Sequence, residues 1–204
     1  MSAGKKSILI ILLVIIADQF LKIWIKTHFA LYENVRITDW FYIYFIENNG
    51  MAFGMELISK IFLSLFRVVA VGFIGYYIYH IIKKGYPQGF VACISLIFAG
   101  ALGNIIDSAF YGLIFNDSHG QIATLFPEGG GYAPAFYGKV VDMFYFPIID
   151  TTLPSWLPFW GGDDFVFFSP IFNLADSSIT VGVILLLIFY RNMLDKKKKP
   201  ETKS

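Results

Sequence analysis

The sequence is poor in the side chains that bind metals or form disulfides. It has 204 residues but a single cysteine, Cys93, which lies inside an apolar run. A disulfide framework and a cysteine-based metal site are therefore excluded. The three histidines are scattered at His28, His80 and His119, which argues against a zinc cluster. The sequence predicts neither a metal nor a cofactor.

Charged residues are also scarce. They make up 15% of the chain, whereas about a quarter is usual in a soluble domain. The formal net charge of +1 gives no reason to expect nucleic acid as a partner. Hydrophobic residues account for 56% and aromatic residues for 19%, and the mean hydropathy is +0.62. This composition predicts a membrane protein with many aromatic side chains at the lipid interface.

Four apolar stretches are long enough to cross a bilayer, which takes about 20 residues. They cover about 7–25, 63–82, 90–106 and 172–190. The first follows two lysines, as the core of a signal peptide would. However, the apolar core at its start is followed by Asp18, Gln19 and Phe20 in place of the small residues of a cleavage site. We therefore expect an uncleaved span, and a single integral membrane domain over residues 1–204.

The basic residues predict how the chain is oriented. They precede the first span, separate the second from the third and follow the fourth, at Lys5, Lys6, Lys83, Lys84, Arg191 and Lys196 to Lys199. The positive-inside rule places these regions and both termini in the cytoplasm. Segments of about 27–62 and 107–171 then face outward. In the first, the β-branched and aromatic stretch 34–48 predicts a strand, and the NGMAFG that follows predicts a tight turn.

Three carboxylates fall at the outer boundary of these spans. Asp107 follows the third span, Asp142 lies in the second outer segment, and Asp176 lies about five residues into the fourth span. Two carboxylates held together at an apolar boundary cannot both ionise, so they share one proton. One can then take a proton from water while the other donates a proton to a carbonyl oxygen or leaving amine. This is the aspartic-protease device, and it needs no metal, cysteine or histidine.

Each of these polar residues also has a structural interpretation. Asp176 could belong to a helix cap that begins at Asn173, a role compatible with catalysis. Asn104 could cap the end of the third span. Asp142 could be a solvated loop residue, although its neighbours Val141 and Met143 favour partial desolvation.

A further ionisable pair lies inside the first span. Asp18 and Lys22 are four residues apart and so share one helix face. Pairing on one face partly offsets the cost of burying both groups in the membrane. Such a pair more often joins helices together than carries out chemistry, and both interpretations stay open.

Taken together, the polar motifs resemble those of the lipoprotein signal peptidases, also called signal peptidase II. These are four-span aspartic endopeptidases of the bacterial cytoplasmic membrane. The matching stretches, in the family's order, are ADQFLK, ENNGMAFG, GNIIDS, VVDMF and FNLADSSIT. Any one of them alone is a weak signal. Their shared order and topological positions make the resemblance specific.

The resemblance implies a role for each matching residue. Asp142 and Asp176 would be the catalytic dyad. The residues with binding or supporting roles would be Asn49, Gly50, Asn104, Asp107, Asn173, Asp18 and Lys22. The implied substrate is a prolipoprotein whose cysteine carries a diacylglyceryl group, cut just before that cysteine. The implied fold is all-α, with four transmembrane helices, a small extracytoplasmic β-cradle and an interfacial helix. The implied location is the inner membrane, with the active site near its outer face among membrane lipids.

The sequence departs from the family pattern in two places. The arginine that usually closes the GNxxDR block is Ser108 here, so a cationic partner for Asp107 or the dyad must come from elsewhere; Arg67 and Lys139 are candidates. The connections near 113–138 and 148–169 are longer than in compact family members and could form a lid or a surface collar.

Two other functions compete with this interpretation. A small proton-coupled transporter would need carboxylates near the membrane midplane, where only Asp18 is expected. A non-enzymatic scaffold that binds partners through its aromatic outer segments would leave the polar motifs without a purpose.

Overall fold

The computed structural model describes residues 1–49, 57–167 and 169–194. Four of the helices in these ranges are long and apolar enough to cross a membrane: Ala3–His28, Lys60–Lys83, Gln88–Ile114 and Leu174–Met193. The chain divides into two compact units. The helical unit contains residues 1–19, 64–105 and those from 174 onward, and the sheet unit contains residues 20–63 and 106–173.

The helices begin and end close to the expected span limits, with one exception. Helix α1 covers Ala3–His28, α2 covers Leu57–Lys83, α3 covers Gln88–Ile106 and α5 covers Leu174–Leu194. We expected the third span to end at Ile106. Instead the chain continues through a π-helical turn, Asp107–Tyr111, into a short α4, Gly112–Ile114. Apolar residues after Asp107 sustain the helix for two more turns.

The core of the helical unit is a cluster of aliphatic and aromatic side chains from α2, α3 and α5. Its buried members are Ile78, Ile81, Phe90, Val91, Cys93, Ile94 and Leu186. Helix α3 approaches α5 closely because its small residues leave room. A Cβ on Gly100 would collide with the carbonyl oxygen of Ala175. The absence of a side chain at Gly100 therefore serves the packing of α3 against α5.

The sheet unit is built on four antiparallel strands in the order β1-β2-β3-β6. These are β1 Asn34–Thr38, β2 Phe41–Asn48, β3 Val140–Tyr145 and β6 Ile171–Phe172. We expected one strand over 34–48, but Asp39 and Trp40 form a turn that splits it into a hairpin. A second hairpin pairs β4, Ile149–Thr152, with β5, Asp164–Phe167. Between Phe115 and Phe172 the described residues form strands, bridges and turns, so the interfacial helix stays a prediction.

Candidate active site

Asp142 lies in the middle of β3, on the face of the sheet opposite the core. Successive side chains of a strand point to opposite faces. Val141 and Met143 therefore pack into the core of the sheet unit with Phe45, while Asp142 faces the other way. Asp142 is nevertheless only 2% exposed. The solvated-loop interpretation of this residue is wrong, because the valines and aromatic residues around it form a buried strand.

Two asparagine amides hold the Asp142 carboxylate. Asn173 Nδ2 donates to Asp142 Oδ1 at 2.6 Å and also lies 3.3 Å from the carbonyl oxygen of Val141. Asn48 Nδ2 donates to Asp142 Oδ2 at 3.3 Å. Asn48 reaches it because Ile46 is directly opposite Asp142 in the β2–β3 ladder, and the residue two positions on shares its face. Asn173 is fully buried and immediately precedes α5.

Asp107 links the π-helical turn to this strand and to α1. Its Oδ2 lies 2.8 Å from Lys22 Nζ, with both side chains fully buried. The same oxygen accepts a hydrogen bond of 3.2 Å from the backbone N–H of Val141, the residue before Asp142. The turn lies tightly against the chain that leads into β3, since a Cβ on Gly138 would collide with the Asp107 carbonyl oxygen. Asp107 thus fixes the position of β3 through a charge-assisted hydrogen bond.

A second buried charge cluster lies on the core face of the sheet. Glu47 forms ion pairs with Lys26 and, at 2.9 Å, with Lys139, and accepts a hydrogen bond from Ser118 at 2.8 Å. Burial alone would raise the pKa of Glu47, but Lys26 and Lys139 outweigh this effect and hold the pKa below its usual value of 4.5. The Lys26 ammonium also lies over the Tyr132 ring, at 5.1 Å from its centroid.

Tyr132 anchors the connection between α4 and β3 to this cluster. Its hydroxyl accepts a hydrogen bond of 2.7 Å from the backbone N–H of Lys139. Burial raises the pKa of Tyr132, so the side chain stays a neutral phenol. Together with Ser118 it makes residues 115–138 part of the support for β2 and β3.

In the helical unit, Asp176 lies in the first turn of α5. Asn104 of α3 donates from Nδ2 to Asp176 Oδ1 at 2.8 Å. Both side chains are half-buried. Asn104 therefore binds a carboxylate with its side chain, which C-capping alone does not explain. Asp142 and Asp176 each accept a hydrogen bond from an asparagine amide within their own unit.

Asp18 supports the same turn of α5 from α1. Its Oδ1 accepts a hydrogen bond of 2.9 Å from the backbone N–H of Ala175, and its Oδ2 accepts one of 3.1 Å from Gln19. The side chain is fully buried. A carboxylate suits this position, because the first backbone N–H groups of a helix lack intrahelical partners and carry partial positive charge. The close fit depends on Gly103, where a Cβ would lie 2.9 Å from Asp18 Oδ2.

An open apolar groove of about 330 Å³ runs along the helical unit beside this turn. Its lining includes Leu13, Val14, Ala17, Leu96, Ser177 and Val181. Ser177 directly follows Asp176, so the groove starts next to a candidate catalytic carboxylate.

The outer-turn motif is described only in part. Asn49 accepts a hydrogen bond of 3.1 Å from Lys60 Nζ at its Oδ1. Gly50 lies outside the described residues, as do the four residues that complete the NGMAFG turn.

The chain is similar over nearly its full length to proteins of one family. The sequence profile described as Signal peptidase (SPase) II matches residues 10–191. A lipoprotein signal peptidase of Porphyromonas gingivalis is 56% identical over 200 residues, which cover 96% of this chain and 88% of the relative. One of Amoebophilus asiaticus is 35% identical over 188 residues, covering 88% and 75%. A solved bacterial membrane enzyme is 29% identical with a TM-score of 0.63, covering 98% and 95%.

The chain belongs to the signal peptidase II family. It is therefore an aspartic endopeptidase, a membrane hydrolase that removes the signal peptide from prolipoproteins. The resemblance seen in the five motifs is confirmed. The transporter alternative finds no support in these comparisons.

The structure adds residues to those that signal peptidase II motifs point to. The cation found beside Asp107 is Lys22, whereas Lys139, one of the two expected candidates, binds Glu47. Arg67 stays a prediction as a cationic partner of the dyad. Lys22 was in the motif ADQFLK, but one sequence does not show that it reaches Asp107, 85 positions away. Asn48 could have been found as the first asparagine of ENN. Glu47 was visible as the one acidic residue in a strand of aromatic residues, FYIYFIEN.

Proposed function

We propose that Asp142 and Asp176 are the catalytic dyad of this enzyme. In this mechanism the ionised carboxylate takes a proton from water as the water attacks the scissile carbonyl, and the protonated carboxyl donates its proton to the carbonyl oxygen. As the tetrahedral intermediate collapses, the first carboxyl passes the proton that it took to the leaving amine, and the second takes back the proton of the hydroxyl that becomes the product carbonyl. The observation that carries the proposal is the hydrogen bond of 2.6 Å from Asn173 to the buried carboxylate of Asp142 on strand β3.

The asparagines would orient the dyad rather than react. An amide that donates to one carboxylate oxygen fixes the plane of the carboxylate and lets it act as an acceptor towards water. Asn173 does this for Asp142, and Asn104 does it for Asp176. Since a neutral amide does not titrate, neither asparagine competes for the proton that the dyad shares.

Asp107, Lys22 and Asp18 would be positioning residues. Asp107 holds the backbone at Val141, one residue from Asp142, and Lys22 neutralises Asp107. Asp18 holds the first turn of α5 at Ala175, one residue from Asp176. Small displacements of reacting groups lower rates strongly, so rigid supports next to each carboxylate serve catalysis. We propose a binding role for Asn49 and Gly50 of the outer turn.

The substrate would be a prolipoprotein with a diacylglyceryl-modified cysteine, cut on the N-terminal side of that cysteine. We propose that one acyl chain lies in the apolar groove that Ala17 and Ser177 line. The signal peptide enters as an apolar helix from the lipid, so the scissile bond meets the enzyme at the membrane boundary. A groove open to lipid suits such a substrate better than a closed pocket.

The positions of the lysines support an orientation with both termini in the cytoplasm of a bacterial inner membrane. In that orientation the four-stranded sheet is an extracytoplasmic cradle, and the active site lies near the outer face. Membrane lipids surround the four spans.

The test is cleavage of a purified diacylated precursor by the Asp142→Asn and Asp176→Asn variants. Each replacement keeps the size and hydrogen-bonding capacity of the side chain but removes its acid–base chemistry. We expect kcat/KM to fall by about 10²–10⁴-fold, the usual contribution of a general acid or base. The control is Asp39→Asn, which alters an aspartate that is 88% exposed and paired with Arg36. Wild-type cleavage by either Asn variant would refute the dyad.

A further inference from the structure

Within the insertion at 148–169, strands β4 and β5 form a hairpin. Strands β4 and β5 pair in register, with Ile149 opposite Phe167 and Thr152 opposite Asp164. The residues that join them, 153–163, are here called the hairpin tip. The tip is closed by hydrogen bonds from Leu153 N to the carbonyl oxygen of Asp163, at 2.8 Å, and from Gly162 N to that of Leu153, at 3.0 Å. Within the tip, the backbone N–H of Leu157 donates to the carbonyl oxygen of Pro154, which closes a turn.

The hairpin tip presents three large aromatic side chains to its surroundings. Trp156 is 77% exposed, Phe159 is 92% exposed and Trp160 is 63% exposed. The rings of Phe159 and Trp160 meet edge to face, with centroids 6.1 Å apart. Phe159 has a φ of 75°, a left-handed conformation that is rare for a bulky residue. Strain of this kind, with an exposed apolar surface, marks a site of interaction.

The chemistry of the tip favours one kind of partner. No lysine or arginine occurs between Lys139 and Arg191, so the hairpin offers no cation to a phosphate or an anionic surface. The hairpin instead combines the tryptophan rings of its tip with two exposed acidic residues, Asp163 at the end of the tip and Asp164 at the start of β5. Tryptophan is enriched where hydrocarbon meets headgroups, because its ring is apolar and its N–H is polar. Carboxylates stay out of hydrocarbon.

The connections of the hairpin keep it close to a bilayer. It is inserted between β3 and β6, and β6 leads through Asn173 straight into the fourth span. Only seven residue steps separate Phe167 from Leu174, and a fully extended chain of that length spans at most about 25 Å. The root of the hairpin is therefore tied to the point where the chain enters the membrane.

We propose that the hairpin tip inserts Trp156, Phe159 and Trp160 into the headgroup region of the phospholipid leaflet at which the fourth span begins. The carboxylates of Asp163 and Asp164, where the tip meets β5, limit its depth to that region. Because the tip carries no positive charge, insertion depends on apolar contact and not on lipid charge. The hairpin thus anchors the segment between the strand of Asp142 and the helix of Asp176 to the membrane surface.

The test uses the full chain in phospholipid nanodiscs and exploits its single cysteine. Cys93→Ala with Ser155→Cys gives one label site, exposed and next to Trp156, for an environment-sensitive fluorophore. We expect a blue-shifted emission that lipids brominated near the headgroup quench, equally in zwitterionic and anionic bilayers and at low and high salt. Trp156→Ser/Phe159→Ser/Trp160→Ser should abolish the shift and the quenching. Trp156→Phe/Trp160→Phe, which stays aromatic, should retain both.

Four outcomes would overturn the proposal. A label fully accessible to aqueous acrylamide and untouched by brominated lipid shows that the tip stays in water. Quenching that survives the triple serine variant shows that the aromatic rings do not cause it. Quenching that appears only with a diacylated precursor makes the tip a substrate lid. A shift that grows with the number of chains per disc makes it a contact between copies. Cleavage of the precursor by every variant verifies the fold independently.

Discussion

The ammonium of Lys22 and the carboxylate of Asp107 form an ion pair of 2.8 Å from which solvent is fully excluded. The pair joins α1 to the π-helical turn, and through the backbone N–H of Val141 it reaches the strand of Asp142. A buried ion pair adds little net stability against an apolar replacement, but removal of one partner leaves the other charge uncompensated. The pair is therefore best understood as a device that fixes geometry.

Asp107→Asn should destabilise the protein by about 3–5 kcal/mol, because it leaves the buried Lys22 without its counter-charge. The double variant Lys22→Met/Asp107→Asn should recover most of that loss, since no unpaired charge remains. Cleavage should stay impaired in the double variant, because a neutral amide oxygen binds Val141 N more weakly than the carboxylate does. Thermal unfolding and precursor cleavage, measured on the wild type and both variants, separate the two effects. Equal stability of the single and double variants would contradict this account.

Gly103 and Gly72 form a matched pair of helix glycines. Gly103→Ala places a Cβ 2.9 Å from Asp18 Oδ2 and 3.3 Å from the Ala175 Cβ, so we expect a loss of about 1–3 kcal/mol from overpacking. Gly72→Ala meets nothing within 4 Å and should gain about 0.5–1 kcal/mol from helix propensity. The unfolding temperature should therefore fall in Gly103→Ala and rise in Gly72→Ala. Gly103→Ala should also slow cleavage, because Asp18 holds the turn of Asp176.

The Glu47 cluster predicts a loss of stability in acid. The folded protein holds the pKa of Glu47 below 4.5, so the unfolded chain binds the proton more readily. The stabilisation is present above about pH 4.5 and is lost as the pH falls through the lower, folded-state pKa. Glu47→Gln should remove this part of the pH dependence and leave Lys26 and Lys139 unpaired at every pH.

The measurement is the unfolding temperature between pH 3 and pH 7 in detergent. Glu128→Gln is the control, because Glu128 is exposed. A Glu47→Gln variant that keeps the wild-type slope in acid would show that other carboxylates carry the effect.

Filling the apolar groove should weaken substrate binding without abolishing chemistry. Ala17→Phe adds a ring to the lining beside Ser177. We expect KM for the diacylated precursor to rise several-fold with little change in kcat, as for a loss of binding shared by ground and transition states. The control is Gly72→Phe, which adds the same ring at an exposed helix position with open space around it. An unchanged KM in Ala17→Phe would place the acyl chains elsewhere.

Local patterns in the sequence were enough to predict much of this molecule. Apolar runs of spanning length are an unambiguous signal, so all four long helices were expected from the sequence. The extension of α3 past Asp107 was missed because a carboxylate looks like the end of a span. Here Lys22 satisfies that carboxylate inside the protein.

Long-range pairing was the part that sequence could not supply. Lys22 and Asp107 are 85 positions apart, and Asp18 and Ala175 are 157 apart. The i, i+4 rule pointed from Lys22 to Asp18, because only local neighbours can be read from one sequence. The hairpin turn at Asp39 and Trp40 was missed for a related reason: neither residue is the glycine or asparagine that marks a two-residue turn.

Ser118 and Tyr132, both in the long connection before β3, contact the buried ionic cluster of Lys26 and Glu47. The Ser118 hydroxyl forms hydrogen bonds with Lys26 and Glu47, and the Tyr132 ring lies under the Lys26 ammonium. Removal of that connection would expose the buried charges of Lys26 and Glu47 to solvent. The connection and the ionic cluster consequently form one structural module.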